Sequence, residues 1–183
     1  VFSALACIVL GMGLPTTASY VIAASIIAPA LTRLGIPILA AHLFVFYYAC
    51  LSAITPPVAL AAYAAAGISG GTPMKTAIEA CKVGFAGFII PFMFVYNSAL
   101  MAVGTAGNVI WCAITGLVGV IAMSAGFQGW FFKKLNMVER IIILIGGFAM
   151  VVPEIYTDYI GLAVVAVFFV LKKLVKKNQA SKA

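Results

Sequence analysis

Acidic residues are nearly absent from this sequence. Four of 183 residues are Asp or Glu, namely Glu79, Glu139, Glu154 and Asp158, and each falls in a linker or at the edge of an apolar run. A proton relay across a membrane normally needs an acid at membrane depth, and the pattern places none there. Histidine occurs once, as His42, which is poor material for a metal or catalytic cluster. The four cysteines, Cys7, Cys50, Cys81 and Cys112, are scattered singly, without the paired spacings of metal or redox sites, and read as buried free thiols. Charge of either sign is scarce at 8%, with 65% hydrophobic residues and a mean hydropathy of +1.21. Soluble domains carry roughly a quarter charged residues, so the composition is that of an integral membrane protein.

The net charge of +7 does not indicate a nucleic-acid partner. Its Lys and Arg lie between and after apolar runs, where they set topology and meet anionic lipid headgroups. Membrane lipids are the expected contact. The chain opens on Val1 inside the apolar run VFSALACIVL, with no basic n-region or cleavage pattern before it. It is expected to be the C-terminal fragment of a longer polypeptide, whose N-terminal part is then its first partner.

Topology follows from the basic clusters. Lys172, Lys173, Lys176, Lys177 and Lys182 follow the apolar run Tyr159 to Leu171, which makes the C-terminus cytoplasmic by the positive-inside rule. The linker Pro153 to Asp158 carries acids and no Lys or Arg, and Lys133, Lys134 and Arg140 form the next basic group. Ile141 to Val152 is short for a crossing, which needs roughly 17 to 25 residues; it either spans tilted or pairs with Tyr159 to Leu171 as a shallow hairpin. Val109 to Phe132 reads as a clear span, with Trp111 and Trp130 about 28 Å apart in helix rise, at opposite headgroup levels. Phe85 to Val103 reads as a span kinked at Pro91, with Tyr96, Asn97 and Ser98 as a polar patch, Asn97 being interhelical glue or a ligand. Residues 73–82 read as an interfacial helix opened by Thr72-Pro73.

Two stretches break helices where helices should continue. GMGLPTTASY, Gly11 to Tyr20, lies between apolar runs too short to span comfortably, so residues 1–34 read as a re-entrant helical hairpin. Residues 37–67 are too long for one straight crossing and are interrupted at ITPPV, Ile54 to Val58. One reading is that the prolines merely kink spanning helices. The other is that the breaks build a site: unsatisfied backbone groups in hydrocarbon cost several kcal/mol each, so a break survives where protein or a wet cavity surrounds it. Thr16 or Thr17 in the first break and Thr55 in the second suit an N-cap, with Pro56 at N1. The new helix starts would offer unpaired N–H groups to an anion. Alternatively, the unwound residues Gly11 to Leu14 and Ser52 to Ile54 offer carbonyls to a cation, Gly11 and Gly13 permitting positive φ. Discontinuous helices at mid-depth are how secondary transporters build binding sites. With no acid at hand, Na⁺ held by carbonyls and hydroxyls is the expected coupling ion. His42 reads as an interfacial residue, the alternatives being a proton shuttle or metal ligand. Small residues crowd ALAAYAAAG, Ala59 to Gly67, which allows close helix packing.

GMGLPTTASYVIAASIIAPAL, the turn Gly35-Ile36-Pro37, ITPPVALAAYAAAGI and FIIPFMFVYNSALM, in this order and spacing, resemble the second inverted repeat of the large membrane subunit of tripartite ATP-independent periplasmic (TRAP) transporters. More narrowly they look like the fused permeases. The resemblance covers Val1 to Gly104; residues 105–183 resemble only a variable C-terminal transmembrane extension. Ser98 departs from the proline expected there. The implied fold is an all-α integral membrane repeat of an elevator-type transporter. The implied function is Na⁺-driven symport of small organic acids, across a bacterial or archaeal cytoplasmic (inner) membrane, delivered by a periplasmic substrate-binding protein. Carried over by motif, Gly11, Met12, Gly13, Thr16, Thr17, Thr55, Pro56 and Pro57 would line the Na⁺ and substrate sites, with Na⁺ at Gly11, Gly13 and Thr55. No cofactor is implied beyond the coupling ion.

Two other classes compete. A channel or purely structural membrane subunit would favour symmetric rings of pore-lining groups, and this sequence repeats no filter motif. An enzyme needs a nucleophile and base, or metal ligands, at membrane depth, and one histidine without a buried acid does not supply them.

Overall fold

The computed structural model describes residues 1–96, 98–131, 133–151 and 155–180. Asn97, Phe132, Val152, Pro153, Glu154 and Lys182, which figure in the topology above, lie outside the described residues. The chain forms two compact units, Val1–Gly104 and Thr105–Ala183. Both are helical, apart from a two-residue antiparallel ladder, β1 (Trp130–Phe131) with β2 (Lys133–Lys134).

In the first unit, α1 (Phe2–Gly11) and α2 (Thr16–Arg33) flank the tip at residues 12–15, and α3 (Ile38–Ser52) packs on both. Their shared core is Cys7, Ile27, Leu31, Phe44, Val45 and Tyr48, all buried. Phe92 meets Phe44 edge-on at 5.5 Å between centroids, and Tyr48 donates its hydroxyl proton to the Phe88 carbonyl at 2.6 Å. These contacts tie the later helices to α3. After the second break come α4 (Leu60–Ser69) and α5 (Pro73–Val83), packed through Ala59, Ala62 and Ala77. A methyl-sized interface of this kind is what the alanine run permits.

The expected single span over residues 83–104 is not one helix. It is a 3-10 turn (Phe85–Phe88), a short α6 (Ile90–Tyr96) and a second 3-10 turn (Ser98–Met101), and the path bends by 68° at Gly84, between Pro73–Val83 and Phe85–Tyr96. Gly84 and Gly87 lower helix propensity on either side of Phe85, so the break comes before Pro91 rather than at it.

In the second unit, α7 (Ala106–Gln128) is, among the described residues, the one helix long and apolar enough to cross a membrane on its own, with a mean hydropathy of 2.0. It ends two residues before Trp130, because Gly129 takes φ 70. The two indoles therefore do not sit on one rod. Arg140, at the start of α8 (Met137–Val151), donates to the Gly126 and Phe127 carbonyls at 3.0 and 2.8 Å, satisfying acceptors that a helix end leaves free. Glu139 accepts from the Asn136 N–H at 2.8 Å, as a capping residue does. α8 lies against α7 and α9 (Ile155–Ala180) where Gly126, Gly147 and Gly161 leave no room for a side chain.

One carboxylate, in the first turn of α9, is buried. Asp158 is 7% exposed and accepts from Trp111 Nε1 at 3.1 Å. This corrects the expectation of a fragment without a buried acid. Its burial rests on an indole 47 residues away. Trp111→Phe keeps the ring stacked on Tyr159 but removes a donor to a buried charged group. It is expected to destabilise this unit by about 2 kcal/mol, read as a lower midpoint in denaturant unfolding of the detergent-solubilised chain, with Trp130→Phe as the control near zero.

Candidate functional site

The hairpin tip and the second break adjoin. Gly11, the last residue of α1, is buried, and its carbonyl accepts from Ser52 Oγ at 3.2 Å. A Cβ added at Gly11 would overlap Ser19 Oγ and lie 2.6 Å from Ser52 Oγ, so both hydroxyls converge on one point beside that carbonyl. One residue past Met12, Gly13 has φ +76, a conformation that glycine adopts without strain, and a Cβ there would touch Val58 of the second break at 3.5 Å. α1 thus meets α3 where both helices stop.

The oxygens at this joint are unevenly satisfied. Ser52 Oγ also lies 2.7 Å from the Ala49 carbonyl. Ser19 Oγ, fully buried, has no hydrogen-bond partner. An orphaned buried hydroxyl costs about 1–3 kcal/mol, and such a group in a native fold calls for an explanation. A carbonyl and two hydroxyls are hard donors of the type a small hard cation takes.

The expected capping threonines do something else. α2 starts at Thr16, with Pro15 as N-cap and no side-chain cap bond, so Thr16 and Thr17 are the first two helical residues. Pro15 enters at φ -57 and ψ 146, which presets the chain for a helix start and leaves no cap role for a threonine. α4 starts at Leu60 after Ala59, and Thr55 is not its cap. Thr55 Oγ1 instead donates back to the Leu51 carbonyl at 2.7 Å, the local bond with which threonine competes against capping. Pro56 does not open a helix, since Pro57 follows it and disfavours helical ψ. The Pro57 carbonyl is held by the Tyr63 hydroxyl at 2.6 Å, and the Ile54 carbonyl by the Cys81 thiol at 3.3 Å.

Thr16 and Thr17 line a cavity of about 410 Å³ with Tyr20 on α2 and Leu39, His42 and Phe46 on α3. His42 is part-buried there, with Nδ1 2.8 Å from the Tyr20 hydroxyl.

The eight site residues thus fall into three groups: Gly11, Met12 and Gly13 at the joint, Thr16 and Thr17 on the cavity, and Thr55, Pro56 and Pro57 in the loop of the second break. Sequence reasoning missed Ser19, Tyr20 and the Ser52 hydroxyl. No local pattern marks them, because each lies against a residue of another helix.

Interrupted helices whose ends adjoin within an apolar, helical protein are the arrangement that broken-helix membrane transporters use. The chain belongs to the DctM component family of tripartite ATP-independent periplasmic transporters, whose family model matches residues 1–109. Residues 109–176 match a domain of unknown function, DUF3394. No curated protein and no solved structure matches the chain. DctM is a transporter family and not an enzyme family, so the chain is a component of a membrane transporter.

Proposed function

We propose that this chain carries the ion and solute sites of a Na⁺-coupled symporter, of the fused-permease type, that imports small organic acids across the cytoplasmic membrane. The solute arrives from a periplasmic substrate-binding protein, and the C-terminus lies in the cytoplasm. The observation that carries this reading is the orphaned Ser19 hydroxyl beside the Gly11 carbonyl and Ser52. Na⁺ binding supplies the missing partner, and it locks the hairpin tip to the second break. The sequence assigned Na⁺ to Gly11, Gly13 and Thr55; the oxygens that converge beside the Gly11 carbonyl are those of Ser19 and Ser52, which favours Gly11, Ser19 and Ser52 as the ligand set.

The N-terminal turn of α2 takes the solute's carboxylate. The first N–H groups of a helix have no intrahelical acceptor, and the dipole adds roughly half a positive charge there. Ion and anion then stabilise each other across the tip, which is the physical basis of coupled transport. Reconstituted full-length permease should accumulate solute only with an inward Na⁺ gradient and the binding protein. Passive flux that ignores the gradient would instead make it a channel, and either result is read from one uptake assay.

A further inference from the structure

The cavity beside the hairpin tip contains a histidine, His42, that neither the ion joint nor the start of α2 employs. His42 and Tyr20 are held together at 2.8 Å, and Phe46 packs edge-on against Tyr20 at 5.8 Å between centroids, which fixes the phenol ring. A phenol is the better donor of the two and a neutral imidazole nitrogen the better acceptor. With Tyr20 donating to Nδ1, the ring N–H lies on Nε2. The imidazole is left with one N–H to offer a ligand.

The rest of the wall narrows the ligand. No acidic residue lines the cavity, while Thr16 and Thr17 bring hydroxyls and the first amides of an 18-residue helix whose N-cap supplies no side-chain bond. Those groups favour an anion. Leu39, Leu43 and Phe46 make the remaining surface apolar, which suits a carboxylate on a hydrocarbon chain better than a fully hydrated inorganic ion. The volume of about 410 Å³ falls within the roughly 300–1,000 Å³ range of small-molecule sites.

We propose that His42, oriented by Tyr20, is a carboxylate-recognition residue of this cavity, donating from Nε2 to the solute's carboxylate opposite the first turn of α2. The inference rests on the reading of the hairpin tip as a solute site, and it adds the side chains that select an organic anion.

The test uses full-length permease in proteoliposomes with butyrate as probe and butyramide as its uncharged counterpart. Binding is followed by the line width of carboxyl-labelled butyrate. Butyrate should bind saturably and butyramide should not. His42→Leu should raise the half-saturating butyrate concentration by roughly ten-fold or more, the scale of one hydrogen bond to a charged group. His42→Gln, which keeps a donor, should recover much of that loss, and Tyr20→Phe, which frees the ring, should lie between. Na⁺-dependent thermal stabilisation should be the same in all variants, since the Gly11 joint is untouched. Unchanged butyrate affinity in His42→Leu, equal losses in Gln and Leu, or loss of Na⁺ stabilisation in His42→Leu would each overturn the assignment. Butyrate binding by wild type without Na⁺-driven uptake would defeat the transport mechanism alone and leave this site standing.

Discussion

Gly11→Ala is expected to reduce Na⁺-driven uptake by the full-length permease to background, at least about 100-fold below wild type, while leaving membrane insertion intact. The added methyl would overlap Ser19 Oγ and sit 2.6 Å from Ser52 Oγ and 2.9 Å from Ser52 Cβ, against about 3.5–4.0 Å for carbon atoms in contact. Rotating both hydroxyls away relieves only part of this, since the Ser52 Cβ belongs to the helix itself. α1 and α3 must then separate, at a cost of about 1–3 kcal/mol for overpacking. That is too little to unfold a helical hairpin whose core runs from Cys7 to Tyr48. It is enough to disperse three oxygens, and two displaced hydroxyls at about 1.5 kcal/mol each give the hundred-fold. Insertion is followed by surface labelling and uptake by solute accumulation. Wild-type uptake in this variant would remove the joint from the transport cycle.

The hairpin tip was legible because its signals are local: Gly11, Gly13 and Pro15 interrupt an apolar run within five residues. The cap assignments failed for an equally local reason. Threonine satisfies a nearby carbonyl as readily as it caps, and Thr55 takes the first course. Ser19 and Ser52 lie 33 positions apart in the sequence, and only the packing of α2 and α3 brings both hydroxyls to Gly11. No periodicity reports such a meeting. His42 and Tyr20 follow the same rule, 22 positions apart on two helices. The burial of Asp158 was not legible because its donor, the indole of Trp111, lies 47 positions away on another helix. What the sequence conceals in each case is a partner on another helix.

Ser19→Ala separates a structural hydroxyl from an ion ligand by the sign of its effect. Were Ser19 only a packing residue, deleting a buried hydroxyl that has no partner would be neutral or stabilising with or without Na⁺, because the desolvated group costs about 1–3 kcal/mol and returns nothing. As a ligand it should divide the two conditions. Without Na⁺ the variant should melt at or slightly above the wild-type temperature, since the orphan is gone. With Na⁺ the order should reverse, because the wild type gains stability as RT ln(1 + [L]/Kd) while the variant's Kd has risen. Losing one of three oxygen donors at roughly 2 kcal/mol raises the half-saturating Na⁺ concentration about 30-fold. Ser52→Ala should shift Na⁺ dependence in the same direction, with some loss of stability even without Na⁺, since its hydroxyl already donates within the fold. The two substitutions share one ion, so their combined effect on Na⁺ affinity should fall short of the sum. Curves for Ser19→Ala that lie parallel to wild type at every Na⁺ concentration would return this serine to the core and leave the joint without its cation.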